Sequence, residues 1–370
     1  MAGIYIHVPF CKTRCLYCDF FSNTRMDKKS VYLDALCKEI ANRKDYLQQD
    51  PIKTLYFGGG TPSQLSRNDL ESIFHTIRQY FDLSQCEEIT LEANPEDLSP
   101  EYIQMLRTLP FNRISMGVQS FSDKDLKFLN RRHNARRALD AVRDCQRAGF
   151  QNISIDLMYG LPEQTLDDWK LNLETALSLN IQHISSYHLI YEEGTALYRL
   201  LQGGKINPVD EDLSVSMFRT LIETLKEGGF LHYEISNFAL EGYYSKHNTS
   251  YWTGDRYLGL GPGAHSFDGE CRHFNIGDME GYIHGKPVEE EKLSHEEHYN
   301  EFILTSLRTM WGLPLKGVQE KFGEKLYQYC LTAAAPHLQS GMLVQTEGRL
   351  KLSPEGIFVS DGIMSDLMYV

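Results

Sequence analysis

An α/β fold followed by a smaller, mainly helical domain is predicted by three features of the sequence. Short apolar runs alternate with helical patterns over the first half of the chain. That alternation stops near Gly203-Gly204. From Ser294 onward the pattern is mainly helical, interrupted by two short apolar runs around Thr346-Glu347-Gly348. Strands alternating with helices give a parallel sheet with helices outside it.

The elements follow in order. Strands are expected at 3–8, 52–57, 88–93, 113–116, 152–158 and 183–189, and helices at 31–47, 68–80, 100–106, 135–148 and 166–179. This makes about six β/α units, too few for a closed eight-fold barrel. A helix is expected at 211–226, then Gly-, Tyr- and His-rich loops over 228–275. Near the end, 342–345 and 349–352 flank a turn and read as a hairpin, with a helix from about Pro354. Helices followed by a hairpin suggest a winged-helix-like domain. The expected division is 1–205, a connecting region 206–290, and 291–370.

Composition narrows the function. The chain has 370 residues, suiting one large and one smaller domain. Its formal net charge of −13 argues against a nucleic-acid surface as the main business. No run of eighteen apolar residues occurs and the N-terminus has no leader pattern, so a cytoplasmic protein is expected, with a peripheral place at the membrane as the alternative. Eight cysteines, three of them clustered, suit a reducing compartment and cluster ligation rather than disulfides.

The clustered three are Cys11, Cys15 and Cys18, spaced C-x3-C-x2-C directly after the first strand. Three thiolates on one short loop can each take an iron of a [4Fe–4S] cube, leaving the fourth iron open for a small molecule. A zinc site would show a second C-x2-C pair, and none occurs. Cys37, Cys86, Cys145, Cys271 and Cys330 are dispersed and read as packing residues.

Other polar residues fall at successive strand ends. Gly58-Gly59-Gly60-Thr61-Pro62 follows the second strand, and glycines there let backbone approach a charged ligand closely. Glu92 ends the third strand, Gln119 follows the fourth, Arg131 lies shortly after it, and Asp156 ends the fifth. Carboxylates and an amide suit ribose hydroxyls, and a guanidinium suits a carboxylate.

A strand leading into C-x3-C-x2-C resembles the entry of the radical S-adenosylmethionine (SAM) enzymes. The strings His7-Val8-Pro9-Phe10-Cys11, Phe57-Gly58-Gly59-Gly60-Thr61-Pro62-Ser63, Met116-Gly117-Val118-Gln119-Ser120-Phe121 and Asp156-Leu157-Met158-Tyr159-Gly160-Leu161-Pro162 are similar to the HemN-like group of that superfamily. The resemblance covers essentially the whole chain. It implies a partial (β/α)6 barrel, a [4Fe–4S] cluster whose open iron is chelated by SAM, and SAM contacts from Gly59, Gly60, Thr61, Tyr5, Gln119, Arg131 and Asp156, with Glu92 on the ribose.

The group holds oxygen-independent coproporphyrinogen III oxidases and heme chaperones (HemW). The oxidases carry a fourth cysteine two positions after the third, where this chain has Phe20, and a long N-terminal extension that is not present ahead of Cys11. The string His247-Asn248-Thr249-Ser250-Tyr251-Trp252 matches the H-N-x-x-Y-W motif of the chaperone branch. Histidine is a common axial ligand of heme iron, and flanking aromatic rings suit a porphyrin face. The expectation is therefore a heme chaperone with His247 on the heme and His265 as a second, lower-ranked ligand. Its acceptors would be other proteins, membrane-bound respiratory enzymes among them, and family resemblance suggests a homodimer. The alternatives are radical decarboxylation of coproporphyrinogen III propionates, and an unrelated radical SAM reaction.

Overall fold

The computed structural model describes residues 2–48 and 50–370. Six parallel strands form its centre: β1 (Ala2–Val8), β2 (Ile52–Gly59), β3 (Glu88–Ala93), β4 (Arg113–Gln119), β5 (Ile153–Tyr159) and β6 (His183–His188). They lie side by side in chain order. Ile4, Ile6 and Val8 of β1 and Ile153, Ile155 and Leu157 of β5 are fully buried. A strand covered on both faces needs such apolar density.

The outer helices are α1 (Lys29–Asn42), α2 (Arg67–Tyr80), α3 (Pro100–Arg107), a short α4 (Asp123–Phe128), α5 (Ala135–Arg147) and α6 (Leu166–Ser178). Side-chain caps set the starts of all of these but α1. Ser66 with Asp69 forms a capping box on α2, and Thr165 with Asp168 forms one on α6. The helix expected over 31–47 stops at Asn42. Arg43 instead turns its guanidinium to the Gly259 carbonyl (2.9 Å) and the Ser266 hydroxyl (2.9 Å), tertiary bonds that local pattern does not reveal.

After α7 (Ala196–Gln202) and α8 (Glu211–Glu227), the segment read as loops builds both flanks of the sheet. The strands β7 (Leu231–Glu234) and β8 (Asn237–Ala239) add to β6. Helix α9 (Lys246–Thr253) follows, and β9 (Arg256–Leu260) then pairs in parallel with β1. Beyond it lie β10 (His265–Phe267), β11 (Cys271–Phe274) and β12 (Glu289–Lys292), giving a twelve-stranded mixed sheet. These strands are only three to five residues long, too short for a periodicity to mark them, and two of them join the sheet through distant partners, β8 to β6 and β9 to β1. The β12 edge is charged and fully exposed, which discourages pairing with another chain. Met217, Leu221, Phe238 and Leu258 of this segment share one core with the central strands.

The C-terminal part has its own core of Tyr299, Ile303, Leu313, Leu326, Cys330 and Leu350. It is built from α11 (His295–Leu307), which follows the short α10 (Met279–Ile283), then α12 (Leu315–Gln339) and α13 (Ser360–Leu367). Gly323, at φ +79°, breaks α12 into two helices. The strands β14 (Leu343–Thr346) and β15 (Arg349–Leu352) form the expected hairpin, joined by β13 (Leu313–Pro314).

Candidate functional site

The cysteine loop is closed at its base by backbone bonds. Cys11 N–H donates to the Asn23 carbonyl (3.0 Å) and Asn23 N–H to the Pro9 carbonyl (2.6 Å). The loop is also tied to the barrel: Leu16 N–H donates to the Leu129 carbonyl (3.3 Å) and Asn130 Nδ2 to the Arg14 carbonyl (2.8 Å). All three thiols therefore stand over the C-terminal ends of the parallel strands, where barrel chemistry is built.

A cavity of about 440 Å³ lies at this mouth. Its walls include Cys11, Cys15, Cys18, Gly59, Gly60 and Thr61. Glu92, Gln119, Arg131 and Asp156 complete them. Ten sequence-predicted residues from six separate stretches thus meet at one place. Tyr5 does not join them: its hydroxyl pairs with His7 Nδ1 (3.1 Å), and it lines the neighbouring cavity.

Backbone geometry shapes the cavity floor. Gly59 has φ +103°, and a Cβ there would stand 2.5 Å from the His7 ring. A Cβ on Gly60 would stand 2.8 Å from the Val8 carbonyl oxygen. Neither position tolerates a side chain, so bare peptide groups face the cavity. Gln119 adopts φ +70°, where β4 and β5 shift register, and this left-handed kink re-aims its side chain.

A polar relay that sequence reading missed runs behind the thiols. Arg131 Nη1 donates to Cys15 Sγ (3.3 Å), and Nη2 donates to the Gly117 carbonyl (2.6 Å) and to Asn94 Oδ1. Asn94 Nδ2 donates to Thr61 Oγ1 (3.3 Å), whose hydroxyl donates to Cys11 Sγ (3.3 Å). Only the position of Asn94, two residues past Glu92 at the end of β3, could have signalled it.

Electrostatics suit a polar cationic ligand. Burial, with the Asp156 charge, pushes Glu92 up to about 7, although the Tyr56 hydroxyl (2.8 Å) and the Gly59 N–H (3.1 Å) donate to it. Burial also pushes Asp156 up to about 6. Burial raises the Cys18 thiol to about 11, a shift that a bound metal would offset by stabilising the thiolate.

These residues fit a [4Fe–4S] cluster and SAM. Among the described residues no three His, Cys, Asp or Glu side chains converge on a single metal ion. A cube gives each thiolate its own iron and needs no such convergence. Two of the sulfurs already receive hydrogen bonds, the kind that tune a cluster. Arg131 Nε is buried without a partner, an unused donor for a carboxylate beside the cysteines.

His247 lies elsewhere. It is 1% exposed, stacked on Tyr56 (4.9 Å between centroids), with Nδ1 paired to Thr54 Oγ1 (2.8 Å) and Nε2 to the Tyr251 hydroxyl (2.8 Å). An axial ligand needs an unshared ring nitrogen facing its iron, and here both are taken. The motif thus contributes Tyr251 and Trp252 to the second cavity, while its histidine anchors α9 to the barrel. His265 is exposed and lines that second cavity.

Known proteins are similar to this chain in sequence and in fold. The radical SAM superfamily model matches residues 5–176 and the HemN C-terminal domain model residues 293–359. The E. coli coproporphyrinogen III oxidase (HemN) structure superposes with a TM-score of 0.86, covering 99% of this chain and 90% of that one at 23% identity, which shows the shared fold. The heme chaperone HemW of Lactococcus lactis is 34% identical, over 98% of this chain and 96% of its own. That of Bacillus subtilis is 35% identical over 96% of each. At this identity over nearly the full length of both chains, the protein belongs to the HemW family of radical SAM proteins.

Proposed function

We propose that the protein binds heme and passes it to acceptor proteins, and that it carries a [4Fe–4S] cluster with SAM. The observation that supports this reading most is 34–35% identity to the HemW chaperones over nearly the full length, joined to a cysteine loop with Phe20 where the oxidases place a further cysteine. Cys11, Cys15 and Cys18 would hold three irons. Arg131 and Thr61 would polarise the sulfurs and Arg131 Nε would take the SAM carboxylate. The Gly59–Gly60 peptides would receive its methionine end, and Glu92 and Asp156 its ribose, with Gln119 closing the wall. When bound, such a cluster supplies one electron to SAM.

In this reading heme is handled beside the cluster mouth and not within it, because Tyr251 and Trp252 of the H-N-x-x-Y-W string line a neighbouring cavity. The acceptors include membrane-bound respiratory enzymes in this reading, the work is cytoplasmic, and two copies associate. Among the described residues no helix is long and apolar enough to cross a membrane. The test is anaerobic reconstitution followed by parallel assays of hemin binding and coproporphyrinogen III consumption. About one heme bound per chain without porphyrinogen loss is expected. Sustained decarboxylation would return the protein to the oxidase reading.

A further inference from the structure

A second cavity, of about 780 Å³, opens between the β9–β11 flank of the sheet and the C-terminal helices. Its volume lies in the range of small-molecule and cofactor sites. We propose that this cavity is the heme site, with His298 or His265 supplying the axial nitrogen; the proposal rests on the heme-binding reading above.

The imidazoles come first. His265 and Phe267 stand two apart on β10 and share one face of that strand. The Phe267 ring lies 6.3 Å from that of His298 on α11. Among the described residues neither His265 nor His298 has a hydrogen-bond partner on a ring nitrogen. His295, by contrast, already pairs with the Phe322 carbonyl (3.3 Å). Among the described residues no group of three His, Cys, Asp or Glu side chains makes a bare metal-ion site here. One or two imidazoles suffice for an iron whose other four ligands come from a macrocycle.

The walls suit a flat apolar ring with anionic edges. Trp252, Tyr257, Phe267 and Phe302 offer aromatic surface. The Trp252 indole N–H is buried without an acceptor. Lys321, with its ammonium 4.7 Å from the Phe302 ring centre, brings a cation to this wall for a propionate. Arg272 also lines the cavity but is held by Glu301 (2.8 Å). Phe20, 63% exposed, lines both this cavity and the cluster cavity, so the residue standing in the fourth-cysteine position also borders the heme site.

The experiment titrates hemin into the full-length, cluster-reconstituted protein and records the absorption and electron-paramagnetic-resonance signatures of the iron. Wild type is compared with His265→Ala, His298→Ala, the double variant and Lys321→Glu. Both histidines are at least partly exposed, so the melting temperature and cluster content should hold. The double variant is expected to lose the imidazole signature and about ten-fold or more in affinity, with one single variant carrying most of the change. Lys321→Glu is expected to weaken binding while keeping the imidazole signature. If wild type binds heme and the double variant keeps both its signature and its affinity, the placement is wrong although heme binding stands. If wild type binds no heme, the functional reading itself fails and the placement falls with it.

Discussion

Replacing His247 with alanine separates a structural histidine from a heme ligand. The ring is fully enclosed, and its loss would leave Thr54 Oγ1 and the Tyr251 hydroxyl without their 2.8 Å partners. Each buried polar group left unpaired costs roughly 1–3 kcal/mol, and the vacated ring volume adds to this. A destabilisation of about 3–5 kcal/mol follows, which for a chain of this size is a fall in melting temperature of roughly 4–6 °C. The pH dependence gives an independent check. Burial, aided by the Arg113 charge, lowers His247 to about 3 from its ordinary 6.5. The unfolded chain therefore takes up this proton first as pH falls, and the native state loses stability progressively below 6.5. At pH 5 the loss is about 2 kcal/mol, at 1.36 kcal/mol per pH unit. The alanine variant lacks that term, so the stability gap should be widest near pH 7.5 and narrower by about 2 kcal/mol at pH 5. Chemical denaturation of the two proteins at both pH values measures it. An unchanged melting temperature together with loss of the heme iron's imidazole signature would refute the structural assignment.

Other outcomes follow from the cluster cavity. Alanine at Cys11, Cys15 or Cys18 should abolish the [4Fe–4S] absorption after anaerobic reconstitution, while alanine at Cys37 or Cys330 should not; a full cluster in Cys15→Ala would sink the assignment. Asp156→Ala should weaken SAM binding about ten-fold or more by calorimetry with iron content unchanged, since a charged hydrogen bond is worth roughly 1.5–3 kcal/mol. Arg131→Ala should do the same and also shift the cluster's reduction potential, because its guanidinium donates to Cys15 as well. An unmoved potential would remove Arg131 from the cluster's surroundings. Glu92→Gln should raise the SAM-free melting temperature more at pH 8 than at pH 5. Glu92 is raised from 4.5 to about 7, so the unfolded chain releases this proton first and the native state loses stability between those pH values, a loss complete by pH 8 and only begun at pH 5; an equal change at both pH values would count against it.

Much of the architecture was legible because its signals are local. Parallel strands buried on both faces write themselves as apolar runs, and capping residues such as Ser66 and Thr165 mark helix starts. The cluster cavity was legible because barrel topology turns the ends of successive strands into one wall. What local pattern hid depends on distant partners. The strand β9 finds its neighbour across more than two hundred residues, as in the pairing of Ala2 with Arg256. Asn94 matters only through what Arg131 and Thr61 do on either side of it. The histidine of the H-N-x-x-Y-W string drew attention as a ligand. Only its enclosure by Thr54, Tyr56 and Tyr251 shows the ring to be a buried anchor, while His298, outside any motif, faces the open cavity.

The central claim is that the protein hands on heme rather than consuming a porphyrinogen. Its most direct test loads the reconstituted protein with one equivalent of hemin, removes the excess, and mixes it with membranes bearing a heme-depleted respiratory oxidase. Recovery of oxidase activity in step with loss of heme from the protein, and faster than with free hemin, is the predicted result. Heme that stays on the protein, or recovery no faster than free hemin gives, would contradict it.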